Sequence, residues 1–220
     1  MTETEGRRYS GASAEARREE RRARFLDAAL TVVARDGVAA VSARSLCAEA
    51  GLHARYFREA FDSPDDVLTA AFDVMAAELM GDVATAIAAV APEAPDVVER
   101  KVRAGVRSSL GAISADPRRS ALLVGADVHP GLRARREALI DLLAGAMAAQ
   151  AEEILDDPPE HEDAQLSARM IAVGGMHLAI AASAGRIDAS PTTVEEIMVA
   201  GILSNRELSA VLRRLREVSS

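Results

Sequence analysis

The sequence of 220 residues predicts an all-α fold, and three observations support this prediction. Alanine, the best helix former, makes up more than a fifth of the chain, whereas aromatic residues, which favour strands, make up only 3%. Apolar residues recur at helical spacing, and no segment shows a convincing strand pattern. Hydrophobic residues reach 49%, so the chain can bury a core and is expected to be globular.

The N-terminal segment is predicted to contain three helices. Residues 1–13 are polar and are predicted to form a disordered arm. A long helix follows from about Ala14, and Gly37 ends it. Ser42 caps a short helix that ends at Gly51, and a second short helix spans about 54–60. One apolar stripe on the long helix has the spacing i, i+3, i+4, i+7, i+8: Phe25, Ala28, Ala29, Val32 and Val33.

The rest of the chain is predicted to be helical, with proline and glycine at the breaks. Ser63 and Pro64 begin a long helix that reaches about residue 90. Ser190 with Pro191 begins the last helical stretch, which could be two helices divided near Asn205. Four further helices are predicted over about 96–115, 118–125, 132–155 and 161–185.

Residues 24–72 have the arrangement of a helix-turn-helix unit. This unit needs two helices that cross steeply through a tight turn, and Gly51 supplies the turn. The second short helix could then lie in the DNA major groove, where arginine and tyrosine side chains reach phosphates and base edges. Its predicted exposed face holds His53, Ala54, Arg55, Tyr56 and Arg58.

The segment 24–72 resembles the DNA-binding domain of the TetR family of transcriptional repressors. The matching residues are Ala28, Ala29, Gly37, Ser42, Arg44, Ala50, Gly51, Leu52, Tyr56, Phe57, Phe61 and Leu68. The run Arg55-Tyr56-Phe57 is similar to the subset with a Tyr-Phe pair in the recognition helix. The resemblance implies DNA contacts from Ser42, Arg44 and the exposed face of that helix. Arg58 and Pro64 replace a tyrosine and a lysine that often touch phosphate in relatives.

Charge is divided unevenly along the chain, although its net value is −8. Residues 1–62 hold 11 Arg and 10 acidic residues, a net charge of +1, whereas residues 63–220 hold 15 basic and 24 acidic residues, a net charge of −9. An acidic C-terminal part should repel DNA except where the arginines lie, which favours defined docking. Arginines in the 17–24 stretch alternate with glutamates, which fits either a salt-bridged helix start or DNA contact.

The resemblance implies that residues 63–220 form a ligand-binding and dimerisation domain, after a helix-turn-helix domain at 14–62. A homodimer would form through the helices at about 161–185 and 191–217. No aromatic residue follows Phe72, so the cavity is expected to have aliphatic walls and to take a small apolar effector. Stripes proposed for the dimer are Leu166, Met170, Val173, His177 and Ile180, and Met198, Ile202, Asn205, Leu208, Leu212 and Leu215. Candidate polar anchors for the effector are Arg103, Arg107, Asp127, His129 and His177.

The sequence therefore favours a cytoplasmic, homodimeric repressor that binds a palindromic DNA operator and leaves it when the effector binds. The lone cysteine, Cys47, indicates a reducing compartment, and neither a signal peptide nor an apolar run of ~18 residues is evident. No cofactor is expected, and the scattered histidines offer no metal-ligand spacing. One alternative is an all-helical small-molecule-binding protein or enzyme with a helix-turn-helix-like start. Another is a relative that no longer binds an operator and acts as an interaction module.

Overall fold

The computed structural model describes residues 13–218, which form ten α-helices, two short 3₁₀ segments and no β-strand. The predicted all-α fold is thereby confirmed, while the proposed disordered arm lies almost entirely outside the described residues. The helices are α1 Ala14–Asp36, α2 Ala43–Ala50, α3 Ala54–Ala60, α4 Pro64–Ala88, α5 Val97–Ser114, α6 Pro117–Gly125, α7 Pro130–Ile154, α8 His161–Ser183, α9 Pro191–Leu203 and α10 Leu208–Val218.

Local capping signals explain why the helices begin and end where they do. Ser42 and Ser63 each accept a hydrogen bond from the backbone N–H three residues on and form a reciprocal capping box. Gly51 adopts the left-handed conformation with φ 62°, which most residues avoid, and so allows the tight turn between α2 and α3. A 3₁₀ segment at Ser204–Glu207 separates α9 from α10, which confirms the predicted division near Asn205.

Three phenylalanines hold the first three helices together. Phe25 of α1 is fully buried, and its ring meets those of Phe57 and Phe61 edge-on, at centroid distances of 5.7 and 6.2 Å. Leu46 of α2 is also fully buried in this cluster. Edge-to-face packing suits the ring quadrupole, so these contacts add to the hydrophobic gain from burial. They fix the crossing of α2 and α3 against α1.

A single hydrophobic core continues from these helices into the C-terminal helices. Helix α4 packs on both α5 and α7, while α7 packs on α8. Helix α1 also packs on α6, where Arg118 donates to Asp27 and Thr31 at 2.9 Å each. The N-terminal helices are thus joined to the rest of the chain by the α4 connection and by the α1–α6 contact.

Helix α8 is, within residues 13–218, the one helix whose length and hydropathy would permit it to cross a membrane. This differs from the expectation that no such apolar stretch exists. Small side chains spaced along α8 are buried against the chain, whereas Leu166 and Met170 are 62% and 68% exposed. The helix is apolar on more than one side, so its composition fits a core helix that also presents an apolar face.

We expect Gly125→Ala to destabilise the protein by about 1–3 kcal/mol, as for other overpacked positions. Gly125 ends α6, and a Cβ atom there would clash with Cγ2 of Val38 and would lie 3.3 Å from Cδ1 of Leu132. Val38 is β-branched and cannot easily turn its methyl group away. Urea denaturation followed by circular dichroism would measure the change.

The matched control is Gly145→Ala in α7, where an added Cβ meets no atom within 4 Å. This variant should gain about 0.4–1 kcal/mol, because alanine restricts the unfolded chain. Adding Val38→Ala to Gly125→Ala should recover part of the loss. Equal stabilities for the two single glycine variants would contradict the close α6 contact.

Candidate nucleic-acid interface and aliphatic cavity

The start of α2 is organised by two serines. The Ser42 hydroxyl accepts from the Ser45 backbone N–H at 3.1 Å, and the Ser42 N–H donates to the Ser45 hydroxyl at 2.9 Å. The Ser45 hydroxyl also donates to the Ala40 carbonyl at 2.9 Å. Ser42 itself is exposed, so this helix start, with its positive dipole end, faces solvent.

On α3, the exposed Arg55 pairs with Tyr56, which the sequence placed on the exposed face but which is partly buried against the core. The Arg55 guanidinium lies 4.5 Å from the centroid of the Tyr56 ring and donates a short hydrogen bond to its hydroxyl. The Arg21 guanidinium of α1 lies 4.6 Å from the same centroid. Cation–π contacts of this kind attract each guanidinium group to the face of the ring and orient it there. The Tyr56 ring therefore brings positive charge from α1 and α3 together.

The remaining predicted DNA contacts lie at the surface. Arg44 on α2 and Arg58 on α3 are exposed, and neither makes a hydrogen bond or ion pair with any residue that the structure describes. Arg55 and Arg58 are three residues apart, so they are neighbours on one helix face. His53 and Ala54 are exposed at the start of α3, where His53 occupies the N-cap without a side-chain bond.

The arginines of α1 have a role that neither sequence interpretation included. Arg18 donates to the Glu59 carbonyl at 3.0 Å, Arg22 to the Ala60 carbonyl at 3.4 Å, and Arg24 to the Ala50 carbonyl. These carbonyls end α2 and α3, where the helix dipole favours a cation. None of these three side chains forms an ion pair with the glutamates of α1, while DNA contact by them stays a prediction. They hold the two short helices on α1.

Cys47 is partly buried in α2 and packs against the core. Burial raises the pKa of its thiol, although the positive charge of Arg58 opposes this shift. A raised pKa leaves less of the reactive thiolate, which fits the predicted packing role. Within residues 13–218, no group of three or more His, Cys, Asp and Glu side chains could hold a metal ion.

The C-terminal helices line a cavity of about 450 Å³ that is partly open to solvent and that we call the aliphatic cavity. This volume lies within the range of small-molecule sites. Residues from α4, α5, α7, α8, α9 and the start of α10 line it, and among residues 13–218 no aromatic ring does, as the sequence predicted. Its polar lining is limited to Lys101, Ser109, Gln150, Ser167, Asn205 and Arg206.

None of the five polar anchors predicted from the sequence lines the aliphatic cavity. Arg107 of α5 donates to Glu195 of α9 at 2.8 Å, and Arg103 donates to Glu99 at 3.0 Å and to Glu195 at 3.4 Å. The hydrogen bond from Arg107 lowers the pKa of the Glu195 carboxyl. These ion pairs join α5 to α9, so the two arginines hold the outside of the cavity together.

The other three predicted anchors lie near the α6–α7 connection or on the exposed side of α8. Asp127 accepts from the buried Arg136 at 2.7 Å, which lowers the pKa of its carboxyl. His129 caps α7, where its Nδ1 accepts from the Leu132 N–H at 3.2 Å and its Nε2 lies 3.4 Å from Asp65. His177 is exposed on α8. Their part in effector binding stays a prediction that the cavity lining does not support.

Lys101 is a cavity residue that sequence reasoning missed. It is half-buried on α5, between the cavity residues Val98 and Val102. One signal could have identified it, because it is the only lysine in a chain that otherwise uses arginine. Its cavity position could not be read from the sequence, since the long-range packing of α5 decides which face lines the cavity.

Solved structures of transcriptional regulators share this architecture. A TetR-like regulator from Rhodococcus sp. RHA1 superposes with a TM-score of 0.66 at 16% identity, over 88% of this chain and 97% of that one. The chain has the TetR-like fold. The fatty acid degradation regulator FadR from Bacillus halodurans gives a TM-score of 0.67 at 17% identity, over 83% and 94% of the two chains.

A TetR family transcription regulator from Marinobacter aquaeolei VT8 also shares the TetR-like fold. Its TM-score is 0.60 at 17% identity, over 86% of this chain and 96% of that one. No protein-family model matches the sequence, and no curated protein matches it. Because the chain spans almost the whole length of these TetR-like structures, the fold likeness includes both the helix-turn-helix unit and the C-terminal helices.

Proposed function

We propose that this protein is a DNA-binding transcriptional regulator whose α3 enters the major groove. The observation that supports this most strongly is the surface of α2 and α3, where exposed Arg44, Arg55 and Arg58 project from a firmly packed helix-turn-helix unit. Arginine is suited to both phosphates and guanine edges. Ser42 and the start of α2 would meet a phosphate, while Tyr56 would contact the backbone or a thymine methyl group.

The regulator would act as a homodimer on a palindromic operator. Two-fold symmetric sites are read by two-fold symmetric proteins, whose recognition helices lie one helical turn of DNA apart. Leu166 and Met170 of α8 and Ile197 of α9 are each at least 60% exposed, which is unusual for large apolar side chains. A dimer contact through α8 and α9 would cover them.

Within a single chain, several residues of the two stripes proposed for the dimer contact are already buried or line the cavity. Ile180 of the α8 stripe is buried in the core, and Met198, Ile202, Asn205 and Leu208 of the second stripe line the aliphatic cavity. The proposed contact therefore involves the 166–177 part of α8 and the Ile197 side of α9. We revise the interface residues and keep α8 and α9, whereas Leu212 and Leu215 of α10 stay an untested part of the prediction.

We expect Met170→Glu to convert the protein from dimer to monomer, because the charge would have to be desolvated in an apolar contact. Light scattering after size-exclusion chromatography would report the mass. Val128→Glu is the matched control, since Val128 is 79% exposed in the connection between α6 and α7. A dimer that survives Met170→Glu, or a wild-type monomer at micromolar concentration, would refute this interface.

Repression would be released when a small molecule with a large apolar part fills the aliphatic cavity. Helix α4 lines the cavity through Leu79 and Val83 and begins directly after α3. A ligand that favours one orientation of α4 and α6 would change the distance between the two α3 helices of the dimer. Arg103, Arg107, Asp127 and His129 would maintain the surrounding helices and would not touch the ligand.

The test is DNase footprinting on the DNA upstream of the protein's own gene. The wild-type protein should protect a two-fold symmetric segment, with affinity that falls as salt rises. Hydrophobic ligands should be added in a second set of reactions, where release indicates a repressor. No protection at low salt would reject the regulator and favour the helical interaction module. Protection without two-fold symmetry would reject the palindromic operator.

A further inference from the structure

The charged groups of the aliphatic cavity are all positive. Among the residues that the structure describes, its lining contains Lys101 and Arg206 and no aspartate or glutamate. This is unusual for a chain with a net charge of −8 and 34 acidic residues. A cavity whose charged groups are positive attracts an anion and disfavours a cation, even though the chain as a whole is acidic.

Lys101 has no partner within residues 13–218. The cations beside it on α5 are satisfied, since Arg100 donates to the Pro95 carbonyl and Arg103 pairs with Glu99. Lys101 makes neither a hydrogen bond nor an ion pair with the residues described, although it is half-buried. Since no carboxylate pairs with Lys101 among the residues described, an anionic ligand group would be able to form a charge-assisted hydrogen bond with its ammonium group.

The surroundings of Lys101 specify the remainder of the ligand. On α5, Val98, Val102, Gly105 and Ser109 follow the same cavity-facing stripe, and the opposite walls are leucine, isoleucine, methionine and alanine. Such walls suit a flexible aliphatic chain and offer no ring for stacking. Gln150 of α7 and Ser167 of α8 are further polar groups in the lining that could bind an oxygen-bearing head.

We propose that the aliphatic cavity binds an aliphatic carboxylic acid as its anion, with the carboxylate paired to Lys101. This inference rests on the proposed effector cavity and names the class of ligand that the cavity takes. One ammonium group balances one carboxylate, whereas a phosphate dianion would need more cations to offset its desolvation. Arg206 is exposed and adds weaker attraction from the cavity edge.

Calorimetry on the full-length protein, without DNA, tests this with three probes of equal chain length: decanoate, decanol and decylamine. Wild-type protein should bind decanoate at least tenfold more tightly than decanol, and decylamine should bind weakest. Lys101→Met keeps the apolar stem but removes the charge, so its preference for decanoate over decanol should disappear. Lys101→Arg should retain the preference, and the control Arg100→Gln should behave as wild type.

The lone lysine permits a second measurement on unaltered protein. Reductive methylation modifies amines in their neutral form, and a bound carboxylate favours the charged form. Saturating decanoate should slow methylation of Lys101 at least fivefold, as measured by mass spectrometry, whereas decanol should slow it less. The N-terminal amine serves as the internal reference. This experiment decides the proposal if Lys101→Met does not fold.

Equal binding of decanoate and decanol by wild-type protein would overturn the carboxylate assignment, as would unchanged decanoate preference in Lys101→Met. Failure of decanoate to bind at all would also overturn it. These outcomes are independent of operator binding, because no DNA is present. A protein that protects its operator but ignores decanoate would retain the regulatory function and lose only this ligand class.

Discussion

An Arg55→Ala variant should bind operator DNA about 1–3 kcal/mol more weakly per half-site than the wild-type protein. Arg55 is exposed on α3, and its guanidinium is already held over Tyr56. A side chain ordered before binding loses less freedom on the DNA, so its removal should be costly. Fluorescence anisotropy with the footprinted segment and a scrambled duplex would measure the loss.

Salt dependence separates two roles for Arg55. If it contacts a base edge, the operator should lose affinity more than the scrambled duplex does. If it contacts a phosphate, both duplexes should lose affinity, and the slope against log salt should fall by about one per contact. Arg100→Ala on α5 is the control. Unchanged binding to both duplexes would remove Arg55 from the interface.

Tyr56→Phe should have a smaller effect than Arg55→Ala. The substitution removes the hydroxyl that accepts from Arg55 and leaves the ring beneath Arg21 and Arg55. The cation–π contacts, worth about 0.5–1 kcal/mol at exposed sites, would remain. A loss as large as that of Arg55→Ala would show that the hydroxyl itself contacts DNA.

Most of the helix boundaries could be predicted because the signals that set them are local. Ser42, Ser63 and Gly51 act on backbone groups within a few residues, and the structure places each of them as expected. The buried stripe of α1 was also correct, since all five of its members are at most 4% exposed. Capping residues and apolar periodicity reflect local geometry, so they can be recognised directly in the sequence.

The partners of each helix face could not be predicted in the same way. The stripe on α9 was interpreted as a dimer seam, but Met198 and Ile202 line the cavity, as does the exposed Ile197 at its edge. An apolar stripe shows that a face is buried, not what buries it. Arg107 was proposed as a ligand anchor, yet its partner Glu195 is 88 residues away in the chain. Only the packing of α5 on α9 brings them together.

Phe25→Ala should destabilise the protein by about 3–5 kcal/mol, the usual cost of removing a buried phenylalanine. The side chain is fully buried, and both ring contacts to Phe57 and Phe61 would be lost. Because these contacts position α3 on α1, operator affinity should fall toward that for scrambled DNA. Urea denaturation followed by circular dichroism gives the first quantity, and anisotropy gives the second.

Comparing Phe25 with Phe72 separates the stabilisation from ring–ring contacts from the stabilisation that comes from burial. Phe72 of α4 is equally buried but makes no ring–ring contact with the residues that the structure describes. Phe25→Leu should therefore cost more than Phe72→Leu, by about 0.5–1.5 kcal/mol for each aromatic pair. Equal costs would mean that burial alone accounts for Phe25. A stable Phe25→Ala variant that still protects the operator would show that α3 is held mainly by the arginines of α1, since Arg18 and Arg22 reach its terminal carbonyls independently of Phe25.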